Sequence, residues 1–188
     1  MLATLLSVVA VALALLLVAI ATRPGSFLLR RAAVIDAPAE VIFAQVADLR
    51  RWAAWNPFQK ADPHARVTYA GADGSVGSSY HFAGKKMGEG RMTLTEIAPH
   101  ERVLVEARFI KPFAATNTIE FTLTPAADGV RVTWSMYGKQ TFLGKALSLF
   151  MSMDGMMGKE FEAGLAELKR VAEVEAERAW AGRSGAAV

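Results

Sequence analysis

Cysteine is absent from the chain, and histidine occurs only three times, as His64, His81 and His100. The first absence removes disulfides, a thiolate nucleophile and any cysteine-bound metal. The second leaves no HxH or HxxxH pair, so a metal site would need ligands gathered from distant parts of the chain, and neither a metal nor a cofactor is expected. Runs of one charge are also missing. The 21 Lys and Arg are scattered among 18 Asp and Glu, for a net charge of +3. Without a basic patch interleaved with aromatics, no nucleic-acid partner is expected. There is no GxSxG serine motif. The glycines at 84, 88 and 90 lack the strand-to-helix setting of a phosphate loop and read as a hairpin and a bulge. At 188 residues the chain holds one ordinary domain.

What the chain does have, at its start, is a long apolar run. MLATLLSVVAVALALLLVAIAT, residues 1–22, contains no charge, proline or glycine. As a helix it would be about 33 Å long, close to the thickness of a bilayer's hydrocarbon core. Ala19-Ile20-Ala21 has the small-x-small form of a signal-peptidase site, so export after cleavage near Ala21 is the alternative. A signal peptide has a basic start and a shorter apolar core, which favours an uncleaved anchor. Arg23, Arg30 and Arg31 follow the run and no basic side chain precedes it, so the positive-inside bias puts the domain in the cytoplasm on a single-pass anchor.

Beyond the anchor the period of the apolar residues sorts the chain into elements. Residues 23–29 read as a linker, 30–180 as the folded domain and 181–188 as a tail. LLRRAAVIDAP (28–38) reads as a strand, with Asp36 and Pro38 suited to the cap and first turn of a helix. PAEVIFAQVADLRRWAAW has helical spacing, with a break at Asp48, and Asn56-Pro57 stops it. From residue 64 to 139 the period becomes two. VRVTWSM (130–136) places Val130, Val132, Trp134 and Met136 on one face, and NTIEFTL (117–123) does the same with Ile119, Phe121 and Leu123. About seven strands joined by short connections require antiparallel neighbours, hence a meander.

One apolar face needs a cover. In the final segment Met153, Met157, Phe161, Leu165, Leu168 and Val171 or Ala172 recur at steps of three and four. That spacing predicts a long amphipathic helix capped by Asp154 and running to about Trp180. Methionine is concentrated at its start, at 151, 153, 156 and 157 beside Gly155 and Gly158. Methionine fits irregular space, and by residue type alone this end could serve membrane contact, a metal or redox site, a partner-binding groove or one wall of an interior space. If this end is the gate of an interior cavity, bulky substitution at Gly155 or Gly158 is expected to reduce ligand uptake more than stability.

The order of elements and four local runs carry a resemblance: VIDAPAEVIFAQVADLRRWAAWNPF (34–58), YAGADGSVGSSYHFAGKKMGEGRMTLTE (69–96), KPFAATNTIEFTLTPAADGVRVTWSMYGK (111–139) and MDGMMGKEFEAGLAELK (153–169). The chain resembles the START-like, or SRPBCC, superfamily, in its polyketide cyclase/dehydrase-like branch. The resemblance implies an α+β helix-grip fold, a curved antiparallel sheet around a long C-terminal helix with a hydrophobic cavity between them. Mapped onto this chain, the ligand-binding lining would be Trp52, Trp55, Phe58, Tyr80, Phe82, Met92, Phe109, Asn117, Phe121, Trp134, Met136, Met153, Met156 and Met157. Among polar groups, Asn117 shares the parity of Ile119 and Phe121 and points inward, while His81 falls between Tyr80 and Phe82 and points outward. These two are the only candidates for a catalytic role. The superfamily includes carriers, cyclases and co-chaperones, and fold does not fix function. The leading expectation is a membrane-tethered binding or carrier domain for an apolar small molecule such as a lipid, quinone or isoprenoid. A cyclase or dehydratase using the same cavity and a co-chaperone-like interaction module are the alternatives, and oligomeric state stays open.

Overall fold

The structure, a computed structural model, describes residues 1–149 and 152–185, without the side chains of Met153 and residues 183–185. It opens with α1 (Leu2–Ala21), a helix of mean hydropathy 2.9 whose only buried residue is Ile20. Its length and apolarity fit an anchor and a signal sequence alike.

Strand β1 (Ser26–Ile35) begins inside the stretch read as a linker. Helices α2 (Ala39–Ala47), α3 (Trp52–Trp55) and α4 (Pro57–Ala61) follow. Asp36 caps nothing: Pro38 occupies the cap of α2, and the backbone N–H of Asp36 donates instead to Glu173 at 3.0 Å. Asn56 does more than stop α3. Its Oδ1 accepts from the N–H of Phe58 at 3.0 Å and starts α4, with Pro57 in the first turn, where a missing N–H costs nothing.

The sheet comprises β2 (Arg66–Ala70), β3 (Ser79–Gly84), β4 (Gly88–Ala98), β5 (Arg102–Lys111), β6 (Ala115–Ala126) and β7 (Gly129–Lys139) together with β1. All neighbours are antiparallel, in the order β1-β7-β6-β5-β4-β3-β2. Strands β2 to β7 form the meander, and β1 returns to pair with the last strand, so the first two strands lie on opposite edges with α2–α4 connecting them. The register shifts between Glu89 and Gly90, where the bulge was expected. A Cβ at Gly90 would meet the Arg108 carbonyl oxygen at 2.7 Å, so the bulge needs glycine.

After β7 come α5 (Phe142–Leu147) and α6 (Met153–Gly185). Thr141 caps α5 by accepting from the N–H of Gly144 at 3.1 Å. The cap of α6 is Ser152, whose Oγ accepts from the N–H of Gly155 at 2.9 Å. The Asp154 carboxylate is drawn elsewhere, to Arg31 at 2.6 Å. Helix α6 lies over β1 and against α2, α3 and α4, burying Phe161, Leu165, Leu168, Ala172 and Ala176. Steps of three and four keep those residues on one stripe. Gly164 allows the close approach, because a Cβ there would meet Trp134 at 2.6 Å and Pro57 at 3.0 Å.

Candidate functional site

Most of the expected lining residues pack against one another. The Trp134 ring stacks on Phe161 of α6 at 4.0 Å between centroids and on Phe121 of β6 at 5.3 Å. Trp55 stands edge-on to Trp134 at 5.6 Å, and Trp52 meets Trp55, Phe121 and Tyr80. Both α3 indoles also donate to the end of α2: Trp52 Nε1 to the Val46 carbonyl at 3.0 Å and Trp55 Nε1 to that of Gln45 at 3.2 Å. Carbonyls in the last turn of a helix lack partners, so each tryptophan supplies both bulk and a cap. Tyr80, Phe82, Met92 and Met136 are buried in the same core, with Phe58, Phe109 and Met157 packed half-buried around it. Burial pushes the Tyr80 hydroxyl well above its ordinary pKa. Met151 and the side chain of Met153 lie outside the described residues.

The open space lies at one end of this interface. A cavity of about 170 Å³ is lined by Phe27, Phe113, Asn117, Gln140, Leu143, Leu147 and Met156, with Lys139 and smaller residues between them. Of the expected lining, it includes Asn117 and Met156. Register explains the hollow. Phe27 pairs with Gly138, Gly138 with Asn117, and Asn117 with Ala107, so this row across the inner face carries two very small residues. The adjacent rows, Leu29–Met136–Ile119–Val105 and Arg31–Trp134–Phe121–Val103, carry large ones and leave no gap. Asn117 is 8 % exposed and its Oδ1 has no hydrogen-bond partner; Oε1 of Gln140 is likewise buried and unpartnered.

His81 stands apart from this end. It lies half-exposed on the outer face at 3.7 Å from Glu89. The Glu89 carboxylate bonds Lys111 at 2.8 Å, and that ammonium, with His81 a lesser contributor, holds it below the usual carboxylate range. The two catalytic candidates therefore do not share a site. A second hollow, of about 440 Å³, is lined by Gln59, Lys60, Asp62, Tyr69 and Met87 among others. Its acid is already engaged: Asp62 Oδ2 accepts from the N–H of Lys86 at 2.7 Å and of Met87 at 3.3 Å, which lowers its pKa. Among the described residues no cluster of His, Asp and Glu could hold a metal ion.

A family model described as polyketide cyclase / dehydrase and lipid transport matches residues 27–173, more than half of the chain. The chain belongs to this family. Membership implies a hydrophobic ligand. Solved structures show the same fold at low identity. Protein CV1439 from Chromobacterium violaceum is 18 % identical with a TM-score of 0.57, over 80 % of this chain and 99 % of that one. SA2116 from Staphylococcus aureus is 10 % identical with a TM-score of 0.60, over 81 % and 96 %. The Aha1 dimer from Colwellia psychrerythraea is 17 % identical with a TM-score of 0.53, over 79 % and 97 %. No curated protein matches the chain significantly in sequence.

Within the family fold, the residues that sequence reasoning missed are those around α5. Phe27 was legible in principle, since it has the parity of Leu29 on β1. Phe113, Gln140, Leu143 and Leu147 follow no strand or helix period, because they sit in a loop, at a strand end and on a two-turn helix.

Proposed function

We propose that the protein is a membrane-tethered binding or carrier domain that admits one end of an apolar small molecule, of lipid, quinone or isoprenoid type, at the α5 end of the sheet–helix interface. The observation that carries this reading is the position of the cavity. Its apolar lining includes Leu143 and Leu147 of α5, and α5 is the element against which α1 packs. With α1 in a bilayer, the cavity mouth lies beside the membrane, where an apolar ligand is most concentrated. Phe113, Leu143 and Leu147 of the lining are exposed, as is Phe142 beside Leu143, so this end of the domain presents apolar side chains to its surroundings. Lys139 and Lys145 stand nearby, which suits an anionic leaflet on the cytoplasmic side.

Binding rather than turnover is supported by the lining. Cyclase or dehydratase chemistry requires a positioned acid or base, and among the described residues the one ionisable side chain in the lining is Lys139, which is exposed. The test is native mass spectrometry of the full chain, purified in mild detergent from its own membrane. A hydrophobic molecule should travel with the protein and be lost when Leu143 and Leu147 are both replaced by serine. A protein that carries no such molecule, and takes none from added lipid extract, overturns the reading. Protease added outside intact spheroplasts should leave the domain whole, and digestion would reverse the orientation.

A further inference from the structure

Asn117 interrupts an otherwise apolar stripe of β6, in which Ile119, Phe121 and Leu123 are all buried. The chain makes room for its amide: a Cβ on the paired Gly138 would collide with Asn117 Oδ1. Gln140, two residues beyond Gly138, reaches the same cavity from the same face. Other polar side chains in the lining are already used. Thr141 Oγ1 accepts from the N–H of Gly144, and Ser148 Oγ donates to the Lys145 carbonyl at 2.7 Å. Among the described lining side chains, the two amides alone retain unspent oxygens, Asn117 Oδ1 and Gln140 Oε1. Leaving such an atom buried and unpaired is costly, and a leucine or methionine at either position would avoid that cost.

Resting on the binding reading above, we propose that the cavity selects an apolar molecule ending in a neutral hydroxyl, an alcohol or phenol, with that hydroxyl turned toward Asn117 and Gln140. A primary amide offers both a carbonyl and N–H groups, and a hydroxyl both donates and accepts, so it satisfies either end. An ether, ester, ketone or carboxylate only accepts, and a hydrocarbon does neither. An ammonium head would donate, but the described lining holds no acid to balance it and contains Lys139 to repel it. Size agrees. A cavity of roughly 150 Å³ holds a benzene ring, so about 170 Å³ takes the hydroxylated end while the apolar remainder leaves past Phe113, Leu147 and Met156.

The test uses the full chain in lipid nanodiscs and two isomers, 1-decanol and 1-methoxynonane, compared at equal concentration in the lipid. The alcohol should bind about tenfold tighter, a difference of about 1.4 kcal/mol. The side-chain amide signals of Asn117 and Gln140 should shift with the alcohol in nitrogen–proton spectra and stay still with the ether. Asn117→Leu should bring the ratio below about threefold, and Gln140→Met gives an independent reading should the first variant fold poorly. Equal affinity for the two isomers, or amide signals that ignore the alcohol, overturns the hydroxyl inference and leaves the binding reading standing. If neither isomer binds and nothing hydrophobic copurifies, both fall.

Discussion

The two ends of the sheet–helix interface are built from the same strands and solve opposite problems. At the Trp134 end, three tryptophans and two phenylalanines occupy the space between sheet and helix, and α6 comes close enough for ring stacking at 4.0 Å. At the Asn117 end, Gly138 and Ala107 replace such side chains within the row, and the cover is the short α5 with Met156 from the first turn of α6. One row of the sheet separates a filled core from a hollow. Stability and binding are therefore divided along the strands, and a change at one end should leave the other largely intact.

The sharpest way to break that division is to empty the filled end. Trp52→Ala or Phe161→Ala should cost about 3–5 kcal/mol, read as a lower urea midpoint, because each removes a fully buried ring from the cluster. Gly164→Ala comes next. Helix propensity alone would stabilise by about 1 kcal/mol, but the new methyl would press on Trp134 and Pro57, so a net loss of about 1–3 kcal/mol is expected from overpacking. A more stable Gly164→Ala variant would show that α6 is not held against the sheet this tightly. At the open end, Leu143→Ser with Leu147→Ser should shift the urea midpoint by less than the equivalent of about 1 kcal/mol, while ligand retention falls about tenfold from lost apolar contact.

Gly155 and Gly158 sharpen the comparison, since they do not behave as a pair. A Cβ on Gly158 would strike the Arg31 guanidinium, which bonds Asp154 at 2.6 Å and Glu162 at 2.7 Å, whereas Gly155 has only Ser152 Oγ nearby, at 3.2 Å. Gly158→Leu is thus expected to lower stability more than uptake, about 1–2 kcal/mol through displacement of Arg31, reversing the expectation from sequence for that position. The smallest effect concerns pH. Lys60 and Arg170 hold the Glu167 carboxyl at about 2, with Arg170 the larger influence. A depressed folded-state pKa stabilises above the unfolded value of about 4.3 and the benefit is lost as pH falls toward 2. The group is solvent-exposed enough that its share stays under about 1 kcal/mol and shrinks with salt. Lys60→Met should flatten the stability curve between those pH values at low ionic strength.

Alternation over 130–136 and 117–123 suffices to assign the inner face, because a strand's side chains change sides at every residue. Period alone also finds the buried stripe of α6. Caps are less legible: Asp154 suits a helix start by type, yet Arg31, brought over from β1, takes its carboxylate and leaves the cap to Ser152. The same limit applies to the site. Strand parity places Phe121 and Trp134 inward, and helical spacing Trp52, but neither can distinguish a wall from a filler, since that depends on which rings meet across the interface.

By itself, then, the amino-acid sequence determines the elements, the apolar face of each, the long C-terminal cover, the apolar first helix and the inward amide of Asn117. These follow from local period and residue type, which act over one or two turns. Where the space remains was decided by tertiary structure alone. Gly138 and Phe27 are 111 residues apart in the chain yet adjacent in the sheet, and Asn117 lies beside both. A hollow forms where small side chains from several strands fall in one row under a short helix, and strand register, a long-range property, sets that row.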